Sequence, residues 1–401
     1  MNIVQKYGGT SLDSIDRIKA VARHIASIRK EGDGFVIVAS AMGKTKDELM
    51  EMAKQAGDEI PKRELDALLA TGEQKTAALL AIALQNLGVP AVSMTGFQSG
   101  FITTDHHSKA RIKEINTERT EQFLKEGYVV VLTGFQGISE EGDITTLGRG
   151  GSDTTAVAIA AQLGWDCEIY TDVDAIFTTD PKIYPNAKKL DRITYEELME
   201  LSSTGPAILE TRSVELAKKY NVKLYIGKSL ESDKRKGTYV MNDSIYIEEM
   251  PVTGISISDD CAIYSLRGLE NDGVAIAKLF QLLADLHINV DMISKQTYGD
   301  NKCTISFSCT DEQAKDLDKA IENHKILSEI AVEKQPGLSI LSLVGVGMAT
   351  ATGVASKVFS ILAKEGIIYY QITTSEISIS VTVNRDEKIK AVIALCEAFG
   401  L

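Results

Sequence analysis

The sequence predicts an α/β protein: a mostly parallel sheet sandwiched by helices, followed by two smaller βαββαβ units. Three observations carry this. Strand-like and helix-like segments alternate over the first 245 residues, as they do in a parallel sheet with crossover helices. The character of the chain changes at 245–255, where Met250-Pro251 closes a polar linker. Beyond it, GVAIAKLFQLLADLHINVDMI (273–293) resembles GVASKVFSILAKEGIIYYQI (353–372), an internal repeat.

The elements follow in order. NIVQK (2–6), FVIVA (35–39), YVVVL (128–132) and CEIYT (167–171) read as strands, with helical stretches at 12–30, 62–87 and 152–163. In such a sheet, ligands gather at the carboxyl ends of the strands. In the repeat, Phe280 aligns with Phe359, Leu283 with Leu362 and Ile288 with Ile367. CTISFSC (303–309) and EISISVTV (376–383) alternate with period two, as half-buried antiparallel strands do. Each copy then reads as strand, glycine turn, helix, two strands and a second helix. The expected division is 1–245, 255–330 and 336–401.

Composition limits the partners. The 401 residues allow two to four domains, at roughly 100–200 residues each. Lys plus Arg is 43 against 56 for Asp plus Glu, a net charge of −13. Such a chain repels nucleic acid unless its cations share one face, and the densest basic run is the short Lys234-Arg235-Lys236. An anionic substrate would need local amides and a few placed cations. No apolar run approaches the ~18–20 residues of a membrane span. The start, MNIVQKYGGTS, lacks the pattern of a secretory signal. Five cysteines, an odd count without CxxC, argue for a reducing compartment and against a disulfide frame or thiolate zinc site. The five histidines are scattered. The expectation is a cytoplasmic protein without nucleic acid, membrane or resident metal cluster.

Three segments could carry chemistry. The first strand ends in Lys6 and runs into Tyr7-Gly8-Gly9-Thr10-Ser11 before a helix. Two glycines let backbone approach an anion, Ser11 could cap the helix, and Lys6 lies beside the exposed amides, forming a phosphate cradle. It is not a Walker A loop, and a plain tight turn reads the same. The second segment, Thr146 to Thr155 (TLGRGGSDTT), opens an apolar helix. Arg149 is a forked donor suited to a carboxylate, and Asp153 in the first turn either serves the site or favours the helix dipole. The third, Tyr170 to Lys182 (YTDVDAIFTTDPK), carries acids, threonines, an aromatic and a cation. It suits a nucleotide, or is a solvated loop. Two glycine cradles suggest two anionic ligands facing each other.

These motifs, with SAMGKT at 40–45 and TGE at 71–73, resemble the aspartate kinase (aspartokinase) family. The resemblance spans essentially the whole chain. It implies an amino-acid kinase fold followed by two ferredoxin-like ACT domains, with no room for a fused homoserine dehydrogenase. It implies ATP-dependent phosphorylation of the L-aspartate side-chain carboxylate, ATP as co-substrate and Mg²⁺. It makes Lys6 and Asp153 catalytic. Lys6, Tyr7, Gly8, Gly9, Thr171, Asp172, Phe177 and Lys182 fall on ATP positions. Thr45, Glu73, Arg149, Gly150, Gly151 and Ser152 fall on aspartate positions. Phe177 stands where the family commonly has tyrosine and Lys182 where it has arginine, which loses the bidentate fork. Ala207 replaces a family lysine, for which Lys228 could substitute, and Glu210-Thr211 also departs, whereas Arg212 is retained.

The resemblance further implies feedback by lysine, threonine or both, with effector positions near Asn289, Asp291, Thr374, Ser375 and Glu376, and a homo-oligomer joined through ACT domains. Two alternatives share the fold: a kinase for another small molecule, such as N-acetylglutamate or UMP, and a non-catalytic amino-acid sensor.

Overall fold

The computed structural model describes residues 1–203, 209–231, 233–242, 250–299, 301–323 and 330–401. The chain forms two compact units. The first holds Met1–Ile176, Lys189–Ser202 and the described residues of 207–247; the second holds Phe177–Lys188, Ser203 and the described residues from Met250 to Leu401.

The first unit is built on an eight-stranded sheet. It contains β1 (Asn2–Tyr7), β2 (Gly34–Ala39), β3 (Ala91–Met94), β6 (Val129–Thr133), β9 (Asp166–Thr171), β10 (Arg192–Ile193), β11 (Leu224–Lys228) and β12 (Thr238–Val240). Their order is β10-β12-β11-β9-β1-β2-β6-β3, with only β11–β12 antiparallel. All of GFVIVA and VVVLT is buried, because helices cover both faces of a parallel sheet and neither face can be polar. A smaller sheet of β4 (Phe101–Thr103), β5 (Ile112–Ile115), β7 (Gln136–Ser139) and β8 (Ile144–Thr146) lies in the same unit.

The unit's helices are α1 (Ile15–Ile28), α2 (Thr45–Ala56), α3 (Lys62–Gln85), α4 (Glu118–Lys125), α5 (Gly151–Leu163), α6 (Tyr195–Ser203) and α7 (Thr211–Tyr220). Ser14, not Ser11, caps α1: its side chain accepts from Arg17 N. Ser11 is buried and pairs instead with Ser229 Oγ at 2.7 Å. Helix α5, apolar around most of its circumference, is buried from Asp153 to Ala160 and ends at left-handed Gly164, as buried helices with a glycine stop do. Helix α3 has the length and hydropathy of a membrane span, yet its buried face carries Asp66, Glu73 and Thr76.

In the second unit the two repeats share one six-stranded antiparallel sheet rather than owning separate ones. Its order is β14 (Ile293–Tyr298), β15 (Lys302–Cys309), β13 (Gly254–Glu270), β16 (Ala331–Val344), β18 (Ser378–Asn384) and β17 (Tyr369–Thr374). The long central strands serve both halves. Helices α8 (Gly273–Asp285) and α9 (Asp311–Asn323) go with one apolar cluster, around Leu266, Leu279, Leu283, Phe307 and Leu317. Helices α10 (Val354–Lys364) and α11 (Lys388–Phe399) go with another, around Leu341, Val358, Leu362, Val381 and Leu395. Val252, Ile255 and Ile257 join the second cluster, although they precede the first repeat in sequence. Ile183 and Tyr184 pack on that cluster too, and Ile255 N donates to Thr178 O at 2.7 Å. All five cysteines are free and buried.

Candidate functional site

The sheet of the first unit delivers its chemistry at the carboxyl ends of β1, β2 and β9. Lys6 points from β1 toward the first turn of α5, where its Nζ lies 2.6 Å from Asp153 Oδ1. Both side chains are about nine-tenths buried. At this distance the ammonium and Oδ1 form a close, charge-assisted contact. Two segments far apart in sequence thus meet at one ion pair. Burying either charge alone would be costly; as a pair, each offsets the other.

The arginine loop lies beside this pair. Gly148 and Gly150 both take left-handed backbone, at φ 82° and 62°, a conformation glycine adopts without a Cβ penalty. A Cβ on Gly150 would lie 2.3 Å from Glu210 Cβ, so the Glu210 that departs from the family pattern is packed against this loop. Arg149 is exposed and carries no hydrogen bond or ion pair among the described residues. Ser152 accepts from Ser40 Oγ at 2.9 Å. Thr45 is buried at the start of α2. Glu73 is buried, accepts from Ala41 N through Oε1 at 3.3 Å, and leaves Oε2 buried without a partner. Burial pushes its carboxyl up to about 7, with Lys46 pulling the other way. An unsatisfied buried carboxylate oxygen is a place for a ligand's donor.

Two cations here were not anticipated from the sequence. Lys75 Nζ donates to Thr45 Oγ1 at 3.0 Å. Lys46 Nζ stands 4.2 Å from the centre of the Phe135 ring, within reach of a cation–π contact. The signal was the position of Lys46 directly after Thr45 and of Lys75 two residues after Glu73.

The nucleotide positions divide between the units. Thr171 ends β9 and donates to Asp172 Oδ1 at 2.9 Å, and Asp172 is exposed. Lys228 pairs with Thr171 in register and with Asp174 at 3.1 Å. Tyr7 is fully buried, stacked on Tyr170 at 4.9 Å, with its hydroxyl donating to Gln5; its carbonyl accepts from Ser40 N at 3.2 Å, and both neighbouring strands pair with it. The Gly8 amide donates to Tyr170 O at 3.1 Å, so a phosphate contact by that amide competes with a bond holding β1 to β9. At Gly9 a Cβ would fall 2.8 Å from Ala41 O, so only glycine lets those strand ends approach. Phe177 and Lys182 sit on the segment Phe177–Lys188 of the second unit, where Lys182 N donates to Asp180 at 2.9 Å. Ala207, with Gly205, Pro206 and Ile208, lies outside the described residues, as does the boundary at 245.

In the second unit, Asn289 and Asp291 are exposed just before β14. Thr374, Ser375 and Glu376 are exposed at the turn after β17, where Ser375 Oγ bonds Ser378 Oγ at 2.8 Å.

The chain matches known proteins along its whole length. The Amino acid kinase family profile covers residues 1–228 and the ACT domain profile covers residues 341–399. The chain is 44% identical over 401 residues to the aspartokinase of Bacillus sp. (strain MGA3), covering 100% of this chain and 97% of that one. It is 43% identical to aspartokinase 2 of Bacillus subtilis (strain 168), with 100% and 98% covered. The crystal structure of E. coli aspartokinase III with aspartate and ADP superposes with a TM-score of 0.81 over 100% of both chains, at 22% identity, a likeness of fold.

Proposed function

We infer the function from a premise the full-length likeness establishes: this chain belongs to the aspartokinase family. It is an enzyme that uses ATP to phosphorylate the side-chain carboxylate of L-aspartate, giving ADP and 4-phospho-L-aspartate. This opens the aspartate-derived pathway to lysine, threonine and methionine. The observation that carries the residue assignment is the 2.6 Å Lys6–Asp153 pair between the two glycine-rich loops.

The nucleophile is already ionised at neutral pH, so no general base is needed. The difficulty is repulsion between an anionic carboxylate and an anionic γ-phosphate. Catalysis is therefore positioning and charge neutralisation. Lys6 supplies fixed positive charge at the transferring phosphoryl group. Asp153 holds Lys6 in place and abstracts no proton. Arg149, with Gly150, Gly151 and Ser152, grips the aspartate carboxylates. Glu73 takes the amino group through its free Oε2, and Thr45 completes that end. Thr171, Asp172, Gly9, Phe177 and Lys182 hold ATP, with Tyr7 shaping the strand end beneath it and the Gly8 amide turning from Tyr170 O to a phosphate oxygen. Lys228, at the end of the strand beside Thr171, supplies cationic charge at the nucleotide end. Mg²⁺ fits a site of exposed carboxylates: it needs few protein ligands beside phosphate oxygens, Asp172 is available to it, and when bound it adds charge neutralisation at the phosphates.

The repeat and the shared sheet support reading 255–330 as a second ACT domain beside 336–401. We assign Asn289, Asp291, Thr374, Ser375 and Glu376 to effector binding, with lysine, threonine or both as effectors, and the second unit to homo-oligomer formation. The five free, buried cysteines support a cytoplasmic location.

A substrate panel tests the reaction. Purified chain with Mg-ATP is assayed for ADP release with L-aspartate, N-acetylglutamate and UMP. Release with aspartate alone is expected. Release with another acceptor instead, or with none from protein that binds ATP, overturns the reading in favour of another kinase or a sensor.

A further inference from the structure

Asp66 is fully buried on α3, outside every segment assigned above. Its carboxylate collects an unusual number of donors. Thr146 gives both its amide, at 2.9 Å, and its hydroxyl, at 2.6 Å. The Ser108 amide reaches both oxygens, at 3.1 and 2.9 Å, and His107 Nδ1 lies 3.1 Å away. A buried carboxylate is tolerated only when its lone pairs are met this fully. The same stretch is held from its other side. Arg212 Nη1 donates to Leu147 O and to Ala110 O, each at 3.1 Å. Ala110 N in turn donates to Thr146 O at 2.9 Å. Thr146 and Leu147 are therefore gripped by an acid on one flank and a base on the other. They are the residues directly before Gly148-Arg149-Gly150.

That placement has a consequence. Arg149 sits between two glycines in left-handed backbone, so nothing in its own loop fixes where its guanidinium stands. The anchoring must come from the segment that feeds the loop. We propose that Asp66 and Arg212 are positioning residues that clamp Thr146-Leu147 and thereby aim Arg149 at the dicarboxylate substrate. The proposal rests on the reading of Arg149 as the aspartate grip. Displacing such a group by about 1 Å is enough to cost orders of magnitude in rate.

The test uses full-length Asp66→Asn, Arg212→Gln and Arg212→Lys. An amide at position 66 turns a donor toward donors. A glutamine at 212 is too short to span both carbonyls. A lysine keeps one cationic nitrogen, and a single nitrogen makes both native bonds. We expect Asp66→Asn and Arg212→Gln to lower kcat/KM for aspartate roughly 10-fold or more, chiefly through KM, with the ATP KM within about twofold. Arg212→Lys should recover most of the loss. Backbone deuterium exchange over 144–152 should speed up in the first two variants and not in the third. The proposal fails if the aspartate and ATP KM rise together, if Arg212→Lys is as impaired as Arg212→Gln, or if exchange over 144–152 is unchanged. Should Asp66→Asn not fold, the two Arg212 variants decide. If the wild type phosphorylates no aspartate, the substrate reading falls, and the exchange data still decide whether the clamp exists.

Discussion

Glu73 combines burial, a missing partner and a displaced titration in one side chain. Its carboxyl is pushed up to about 7, chiefly by burial. The native state thus holds that proton in a range where the unfolded chain, with an ordinary value of 4.5, has lost it. Between those values the folded protein binds more protons, so stability falls as pH rises through the window, and the cost is complete above about 7. Glu73→Gln removes this term. Its Tm should gain on that of the wild type between pH 5 and pH 8, while its aspartate KM rises because the ammonium loses its counter-charge. In the wild type, the aspartate KM should rise as pH falls from 8 to 6. Parallel melting curves at both pH values would show that Glu73 does not titrate there. The motifs TGE and GRGGSD pointed to Glu73, Arg149 and Asp153, and the structure buries Glu73 and brings Asp153 to Lys6. What the sequence could not show was which groups are already spoken for. The Tyr7 ring stacks on Tyr170, the Gly8 amide donates to Tyr170 O, a bond that a phosphate would have to displace, and Ser11 pairs with Ser229; each partner is distant in sequence.

At the scale of elements, the site depends on how closely strand ends and helix starts approach. Gly134 follows β6, and a Cβ there would fall 2.6 Å from Ser152 Cβ. That is less than real side chains tolerate, so α5 would have to move away with Ser152 and Asp153. Gly134→Ala should destabilise the protein by about 1–3 kcal/mol, the range for overpacking. It should also lower kcat more than a destabilisation of that size explains in folded protein. Thermal melts beside kinetics at a temperature where both variants are folded separate the two effects. The long strands and the helix at 151–163 were readable as continuous apolar runs bounded by glycines, and the helix at 15–28 by an apolar stripe that matches its buried face. The small sheet was not, since its strands are only three or four residues long and carry no period. Nor was Ser14 as the cap of α1, because Ser11 offers the same chemistry three residues earlier.

At the scale of the whole molecule, the two repeats were legible as repeats, but their union in one sheet was not. Sequence similarity reports matching segments; it does not report that β13 and β16, of 17 and 14 residues, run through both halves. The outer strands β14 and β17 leave apolar side chains open, Ile293 at 52% exposure and Ile372 at 41%. Edge strands with such faces are templates for pairing with another chain. Ile293→Lys combined with Ile372→Lys should shift sedimentation toward the monomer and remove any response to lysine or threonine. A variant with unchanged sedimentation would place the oligomer contact elsewhere. The central claim, acyl-phosphate synthesis on aspartate driven by Lys6, has a more direct test. L-aspartate, Mg-ATP and hydroxylamine are incubated with the wild type and with Lys6→Ala, and aspartyl hydroxamate is measured. We expect hydroxamate from the wild type and at least ~100-fold less from folded Lys6→Ala, the scale for losing a preorganised charge contact. Folded, ATP-binding wild type that yields no hydroxamate, or a Lys6→Ala variant with near-normal turnover, would contradict the account.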